Sequence, residues 1–399
     1  MIYPANFEEK IGFDRIREQV TALCSTPSAK AKLAEEGFST SADEIERRLS
    51  LMNEMRSLLM LERDFPDGDY PDPAPLVAKI RVEGSYLLAA EADQLRKALV
   101  TVGAIAEFIL GRGGARYPRL WELSRRVTLF PEIVRAIDAI LDDRGEVKDS
   151  ASPELQQVRR AIREREGQAA KRLQQVLQRA KQAGIVDADA VLSVRDGRSV
   201  IPVAAANKRK LQGFIHDESA TGRTFYVEPV EVVEINNELK ELEYAERREV
   251  VKVLSAFTES IRPDAEAIAD AGDYLSSVDM IRAKARWALA NDAGKPILST
   301  DDRLELRTAR HPLLQQTLRA QGREVVPLDL ALDRRKHILV ISGPNAGGKS
   351  VCLKTTGLMQ YLFQCGYPVP ASEVSELPVF RSIFIDIGDE QSIDDDLST

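Results

Sequence analysis

The stretch from His337 to Leu362, HILVISGPNAGGKSVCLKTTGLMQYL, constrains the fold of this chain more than any other. The apolar, β-branched run at 337–342 predicts a buried parallel strand. The apolar helical pattern after Ser350 predicts a helix that ends near Gly366 and Pro368. Eight residues, GPNAGGKS, lie between the two. A strand, a glycine-rich loop and a helix in this order predict an α/β unit in at least this part of the chain.

The residues of GPNAGGKS supply groups that bind phosphate. Gly343, Gly347 and Gly348 allow a tight turn in which backbone N–H groups point inward, beside the partial positive charge of a helix N-terminus. Lys349 would neutralise the outer phosphates of ATP, and the Ser350 hydroxyl would ligate Mg²⁺. The alternative is an ordinary glycine-rich turn. The flanking strand and helix patterns favour the phosphate loop, with ATP and Mg²⁺ as cofactors.

The composition limits the class of protein. The chain has 399 residues, enough for several domains, with 30% charged and 6% aromatic residues and a net charge of −8. This balance is typical of long solvated helices and disfavours a protein coated with nucleic acid, although local basic stretches can bind it. The absence of a long apolar run and of a signal peptide predicts a cytoplasmic protein without membrane contact. Three dispersed cysteines, Cys24, Cys352 and Cys365, indicate neither a disulfide framework nor a zinc site.

Long helices dominate the first three quarters of the sequence. A helix of about 32 residues, about 48 Å long, is predicted from Ser152 as N-cap and Pro153 in the first turn to Gly184. Its apolar residues repeat at spacings of three and four, which favours a coiled-coil seam. The expected partner runs from Val230 to about Asn291, and Pro263 is expected to kink or restart it.

A segment of different texture, 191–228, separates the two long helices. β-prone runs with turn signals at Asp196-Gly197 and Thr221-Gly222 predict a small sheet at the tip of a helical arm. Between residues 153 and 210 there are 13 Lys and Arg against 6 Asp and Glu. Such an arm could hold a nucleic-acid backbone without reading bases, or its charges could simply solvate an exposed coiled coil. The basic residues of the tip are Arg195, Arg198, Lys208, Arg209, Lys210 and Arg223.

The predicted fold class is mainly α, followed by an incomplete α/β P-loop ATPase domain. Residues 297–342 alternate short apolar strands with turns, and Val379 to Ile387 predicts a further strand. The predicted divisions are a helical core (1–152), an ascending lever helix (153–190), a β-rich clamp tip (191–228), a descending lever helix (229–292) and the first part of the ATPase domain (293–399).

Several strings of the sequence resemble the MutS family of ATPases. They are ARHPLL from Ala309 to Leu314, the run VVPLDLAL, the loop GPNAGGKS and the ending FIDIGDEQSIDDDLST. More specifically, EVKDSASPEL, VRDGRSVIPV and DESATGRTFYVEP resemble the bacterial MutS-two branch, which lacks the mismatch-reading and connector domains. The resemblance covers nearly the whole chain.

This resemblance implies a homodimer that closes around nucleic acid and hydrolyses ATP at composite sites. The implied substrates are branched or mismatched DNA, with a role in suppressing homologous recombination, and also collided ribosomes and their RNA. Val325 falls where many relatives place an aromatic residue under adenine, which leaves base selectivity open. Gln391, or the acidic run from Asp386, corresponds to a loop that senses the outer phosphate. The implied nucleotide-binding set is Gly343, Pro344, Asn345, Ala346, Gly347, Gly348, Lys349 and Ser350, with Ser350 on the metal.

The resemblance also implies what a chain ending at Thr399 would lack. The Walker B acid, the signature loop and the small nuclease domain of the branch would lie beyond it, so no catalytic residue is assigned. We expect weak ATP binding, little hydrolysis and exposed apolar surface on the ATPase half. Two hypotheses stay open: an ATPase acting on branched DNA, and a non-catalytic dimerising clamp. A chromosome-organising coiled-coil ATPase is disfavoured, because its phosphate loop precedes the coil.

Overall fold

The computed structural model of the protein describes residues 1–195, 197–343 and 348–387. Helices predominate, which confirms the mainly α prediction. The α-helices are α1 (Phe7–Ile11), α2 (Phe13–Ala22), α3 (Pro27–Glu35), α4 (Ala42–Leu61), α5 (Ala74–Ile80), α6 (Ala89–Gly111), α7 (Pro118–Ser124), α8 (Pro131–Ile140), α9 (Pro153–Gln182), α10 (Val230–Ile261), α11 (Ala265–Ala290), α12 (Pro312–Ala320) and α13 (Lys349–Gln364). None of the helices within the described ranges is long and apolar enough to cross a membrane.

The strands are short and form three small sheets within the described residues. They are β1 (Ile2–Tyr3), β2 (Ser193–Arg195), β3 (Arg198–Ala204), β4 (Gly213–Glu218), β5 (Thr224–Pro229), β6 (Ile297–Leu298), β7 (Leu304–Ala309), β8 (Leu328–Leu332), β9 (Glu376–Leu377) and β10 (Ile383–Phe384). The sheet orders are β1-β10, β2-β3-β5-β4 and β6-β9-β7-β8.

Local sequence signals set the ends of the long helices. The Ser152 hydroxyl accepts a hydrogen bond from the Leu155 N–H at 3.0 Å, and Pro153 occupies the first turn of α9, as predicted. Between α10 and α11 the chain makes a 3-10 turn, Arg262–Asp264, which contains Pro263. Proline lacks an N–H for the helical ladder, and the predicted interruption is confirmed.

The chain divides into two compact units. The first comprises Met1–Ala78, Gln94–Pro131 and the described part of Asp264–Thr399. The second comprises Lys79–Asp93 and Glu132–Pro263. The first unit therefore combines the N-terminal helices with the loop-bearing end of the chain, two parts that the sequence placed in separate domains.

The core of the first unit forms around α13. Its Tyr361 ring lies 5.1 Å from the ring of Phe7 and 4.9 Å from that of Phe13, which also contacts Tyr367 at 5.1 Å. Leu358, Leu362 and other buried residues of α13 extend this cluster toward α4 and α11. The helix that follows the glycine loop is thus held by the first two helices of the chain.

Two predictions for residues beyond 297 are corrected by the structure. The segment 297–342 contains β6, β7 and β8, but Pro312–Ala320 between them is a helix. Pro312 in the first turn and buried Leu313 and Leu318 on one side stabilise it, and this periodicity was overlooked. The strand predicted from Val379 to Ile387 is limited to Ile383–Phe384, which pairs in parallel with Ile2–Tyr3.

The second unit contains an antiparallel helix pair with a sheet at one end. Arg159 of α9 pairs with Glu246 of α10 at 2.7 Å, and Arg165, further along α9, pairs with Glu238, earlier on α10, at 2.8 Å. Because the pairs run in opposite order, the helices are antiparallel. The predicted turn glycines, Gly197 and Gly222, adopt positive φ between paired antiparallel strands.

Apolar side chains bind the sheet to the ends of both helices. They are Leu173, Val176, Leu177 and Ala180 of α9, Val232 of α10, and Ile201, Val203 and Val227 of the sheet, with Val186 between them. We call this end of the second unit, residues 191–229, the tip.

Candidate functional site

The glycine loop ends at a helix N-terminus. Gly348 has φ 78°, in the left-handed region that favours glycine, and serves as N-cap of α13. Lys349 is the first helical residue, and its ammonium donates a hydrogen bond to the backbone carbonyl of Gly343 at the other end of the loop. Ser350 follows in the first turn. The cation, the hydroxyl and the helix N-terminus therefore lie together, as a phosphate site requires.

The structure describes few of the remaining residues of the predicted nucleotide site. Pro344, Asn345, Ala346, Gly347 and Gln391 lie outside the described residues. Val325 is half-buried in the segment between α12 and β8, beside the exposed Val326. In the part of the chain that the structure describes, no three His, Cys, Asp or Glu side chains gather closely enough to hold a metal ion.

The buried strand predicted at 337–342 is not formed. These residues have no strand geometry, and Ile338 and Val340 are 76% and 84% exposed. The prediction was wrong because a parallel strand exists only through hydrogen bonds to a neighbour, and no described strand pairs with this segment. The expectation of exposed apolar surface beside the loop agrees with these exposures.

A buried carboxylate organises the tip. Glu228 of β5 is 1% exposed and accepts hydrogen bonds from Arg198 at 2.8 Å and Asn236 at 2.6 Å, and it contacts His216 at 2.5 Å. Burial alone would raise the pKa of Glu228, but the hydrogen bonds from Asn236, His216 and Arg198 hold it below its usual value. The ionised carboxylate thereby ties together β3, β4 and the start of α10.

The predicted basic residues of the tip fall into two groups. Arg198 is committed to Glu228, and Arg195 pairs with Asp217 at 3.0 Å with its guanidinium carbon 4.0 Å from the centroid of the Tyr226 ring. The other group is exposed: Lys208, whose ammonium lies 4.4 Å from the Phe225 ring centroid, Arg209, Lys210 and Arg223. Among the described residues, Arg209, Lys210 and Arg223 make no ion pair.

Two arginines in the first half of α9 are paired with acidic side chains. Arg160 pairs with Glu164 at 3.0 Å, and Arg163 pairs with Asp149 at 2.9 Å. In exposed pairs of this kind the acidic side chain neutralises the positive charge of the arginine. The alternative of a merely solvated surface therefore suits this part of the arm, whereas Arg209, Lys210 and Arg223 of the tip pair with no acidic side chain that the structure describes.

Sequence reasoning missed three residues that shape the tip. Phe214 and Ile215 of β4 are 59% and 50% exposed, and Glu228 is the buried centre. The adjacent apolar pair Phe214-Ile215 followed by polar residues gave no alternation from which an edge strand could be predicted. The buried role of Glu228 had no local signal, because its partners come from β3, β4 and α10.

The chain was compared with known proteins. Residues 339–399 match the family model described as MutS domain V. The chain is 34% identical over 389 residues to the protein named endonuclease MutS2 of Bacillus velezensis, covering 97% of this chain and 48% of that relative. It is 34% identical to the endonuclease MutS2 of Pelotomaculum thermopropionicum, covering 98% of this chain and 48% of that relative. It is 36% identical to the endonuclease MutS2 of Thermomicrobium roseum, covering 97% of this chain and 49% of that relative. The chain thus spans about half the length of the curated relatives it matches.

Proposed function

We propose that this chain, which belongs to the MutS2 branch of the MutS family, holds the phosphate backbone of DNA at its tip and binds ATP with Mg²⁺ at loop 343–350. The name of the relatives, endonuclease, supports a DNA substrate. Supporting observations within the chain are the exposed cations of the tip and the helix N-terminus beside Lys349. The whole protein would act as a homodimeric clamp with a preference for branched or mismatched DNA.

The observation that carries the DNA proposal is the exposed charge of Arg209, Lys210 and Arg223, none of which pairs with an acidic side chain in the described part of the chain. An arginine already held by a buried carboxylate, such as Arg198, cannot turn to a phosphate without leaving an unpaired buried charge. The three exposed cations carry no such cost. They would contact phosphates and release counterions, which gives affinity without base specificity.

Salt-dependent binding tests this proposal. We expect the triple variant Arg209→Ala/Lys210→Ala/Arg223→Ala to flatten the slope of log K against log salt by about 2 to 3 on forked DNA. The control removes three exposed arginines that are ion-paired with a glutamate three or four residues away, Arg126, Arg135 and Arg160. It changes the net charge equally and should keep the wild-type slope. Equal slopes for all three proteins would rule out the tip as the contact.

The nucleotide proposal rests on the fit of the loop residues to phosphate. The glycine N-cap at Gly348, the Lys349 ammonium turned toward the loop and the Ser350 hydroxyl match the needs of a polyphosphate and its Mg²⁺. When bound, ATP would supply a hydrolysable phosphoanhydride bond. The residues of this chain would bind and orient its phosphates.

Titration with a fluorescent ATP analogue tests the loop. Lys349→Ala should remove binding, whereas Lys336→Ala, which changes an exposed lysine outside the loop, should not. An ATP turnover assay on the same protein separates the two functional hypotheses. Ordinary ATPase rates would support an enzyme, and binding without turnover would support a non-catalytic clamp.

Dimerisation and substrate preference need separate measurements. Light scattering of the purified chain, with and without ATP, gives its oligomeric state. Competition between forked, mismatched and fully paired duplexes of equal length gives the preference. A monomer at all concentrations, or equal affinity for all three duplexes, would contradict the corresponding part of the proposal.

A further inference from the structure

One face of the tip sheet is open at its edge. In antiparallel strands, residues directly opposite one another share a face and successive residues alternate. Ile215 lies opposite Val227, on the face that packs against the arm helices. Phe214 lies opposite Glu228, so it shares the other face with Tyr226, two residues earlier on β5. Phe214 is 59% exposed at the edge of this face.

Arg195 lies on the open face, where it contacts both Tyr226 and Asp217. Its guanidinium stacks over Tyr226, with 4.0 Å from the guanidinium carbon to the ring centroid. Its Nε lies 3.0 Å from an oxygen of Asp217, so these two charges neutralise each other. Glu228 on the same face is buried and held by Arg198. The described acidic residues on this face, Asp217 and Glu228, are therefore both paired with arginines beside the exposed aromatic ring.

The exposed cations lie close to this aromatic surface along the chain. Arg209 and Lys210 lie in the turn that leads into β4, four and three residues before Gly213. An exposed ring next to a basic turn is the arrangement that holds single-stranded nucleic acid, where phosphates meet cations and bases stack on aromatic side chains. The cations favour an anionic occupant, and a nucleic-acid strand supplies anionic phosphates and stackable bases together.

We infer that Phe214 is a stacking platform for an unpaired base, so that the tip favours single strands, forks or bulges over fully paired duplex. In duplex DNA the bases are already stacked on one another, and the ring gains nothing from them. An unpaired base, in contrast, buries one of its faces on the ring. This inference rests on the proposed function, because it needs the cations of the tip to hold the flanking phosphates.

Binding of a short oligothymidylate and of a matched duplex by the full chain tests the inference. Phe214→Ala should weaken oligothymidylate binding roughly tenfold, because it removes the ring on which a base stacks, and should leave duplex binding within about twofold. Phe214→Trp should restore it. Ile215→Ala is the matched control, because it removes an apolar side chain of similar exposure from the opposite face of the same strand.

A second readout reports stacking directly. A fluorescent adenine analogue placed in the single strand should be quenched on binding wild type and Phe214→Trp, but not Phe214→Ala. Equal loss of single-strand and duplex affinity in Phe214→Ala overturns the inference. No loss in either overturns it too, and would leave Phe214 as a contact for a protein or a second copy.

The charge variant separates the two proposals. If Arg209→Ala/Lys210→Ala/Arg223→Ala flattens the salt slope while Phe214→Ala behaves as wild type, only the stacking inference fails. If the charge variant keeps both the affinity and the salt slope of the wild type, the proposed function fails and the stacking inference fails with it.

Discussion

The phenol of Tyr361, on the helix after the glycine loop, donates a hydrogen bond to the carboxylate of Glu8 at 2.6 Å. Glu8 also pairs with Arg17 at 2.6 Å. Burial raises the pKa of Tyr361, so its phenol keeps the proton and remains a donor. The N-terminal helices thereby fix the position of α13, whose first turn carries the candidate phosphate site.

Removing the Tyr361 hydroxyl should lower the free energy of unfolding modestly. We expect Tyr361→Phe to cost about 1 kcal/mol, because Glu8 retains Arg17 as a partner. Tyr361→Ala should cost about 3–5 kcal/mol, since it also removes the ring that Phe7 and Phe13 contact. Urea unfolding measures both. Tyr244→Phe, at an exposed tyrosine, should match wild type, and an equally stable Tyr361→Phe would show that the hydrogen bond adds nothing.

Asp279 and Arg282 form a fully buried ion pair on α11, at 2.8 Å. Asp279 also accepts hydrogen bonds from the Thr26 backbone at 2.8 Å and hydroxyl at 3.0 Å, and the Arg282 guanidinium lies 3.6 Å from the centroid of the Tyr70 ring. Asp279→Ala leaves a buried guanidinium without its main partner. We expect a loss of about 3–5 kcal/mol in chemical unfolding.

The matched control for this pair is an exposed one. Glu164→Ala breaks the ion pair with Arg160 on the surface of α9, and it should change the unfolding free energy by less than about 1 kcal/mol. If Asp279→Ala and Glu164→Ala lowered the unfolding free energy by similar amounts, burial would not be the reason that the Asp279–Arg282 pair stabilises the fold.

Local signals predicted the long helices and the tip turns well. Ser152, Pro153 and Pro263 act on the backbone of their own neighbours, and Gly222 permits a turn that other residues strain to adopt. Such signals need no knowledge of the rest of the fold. The turns at the tip glycines and the ends of α9 could therefore be predicted from the sequence.

Pairing between residues far apart in the sequence could not be predicted from such local signals. The pairing of Ile2 with Ile383 and the contact between Tyr361 and Glu8 join residues that are far apart in sequence. The composition of 337–342 favoured a strand, but strand formation depends on a neighbour that composition does not name. The open face of Phe214 depends on the register between β4 and β5, which a single strand cannot reveal.

Alanine substitutions at two glycines that follow helix C-termini distinguish the cost of backbone strain from the cost of steric crowding. Gly366 and Gly322 have φ of 71° and 70°, so alanine at either position costs about 1–2 kcal/mol in strain. A Cβ at Gly366 would lie 2.5 Å from the Cβ of Arg48, whereas one at Gly322 meets nothing within 4 Å. We expect Gly366→Ala to cost about 1–3 kcal/mol more than Gly322→Ala in thermal unfolding. Equal costs would mean that Arg48 moves aside freely.

His311 should make stability depend on pH. It is buried at the start of α12, and burial lowers its pKa to about 4. Neither ring nitrogen has a hydrogen-bond partner among the described residues, and the charges of Lys354 and Arg15 lower the pKa further. Histidine in the unfolded chain titrates near about 6.5. Between these two values the unfolded chain binds a proton that the folded chain does not.

The sign of the effect follows from that difference in bound protons. The stabilising contribution of neutral His311 is fully present above about pH 6.5 and is lost as the pH falls toward the folded pKa. At most, the unfolding free energy falls by about 1.4 kcal/mol per pH unit in this window. Urea unfolding between about pH 7 and 5 should show this slope in wild type and a flatter one in His311→Gln. His337→Gln, which changes an exposed histidine, is the control, and a wild-type slope in His311→Gln would assign the dependence to other groups.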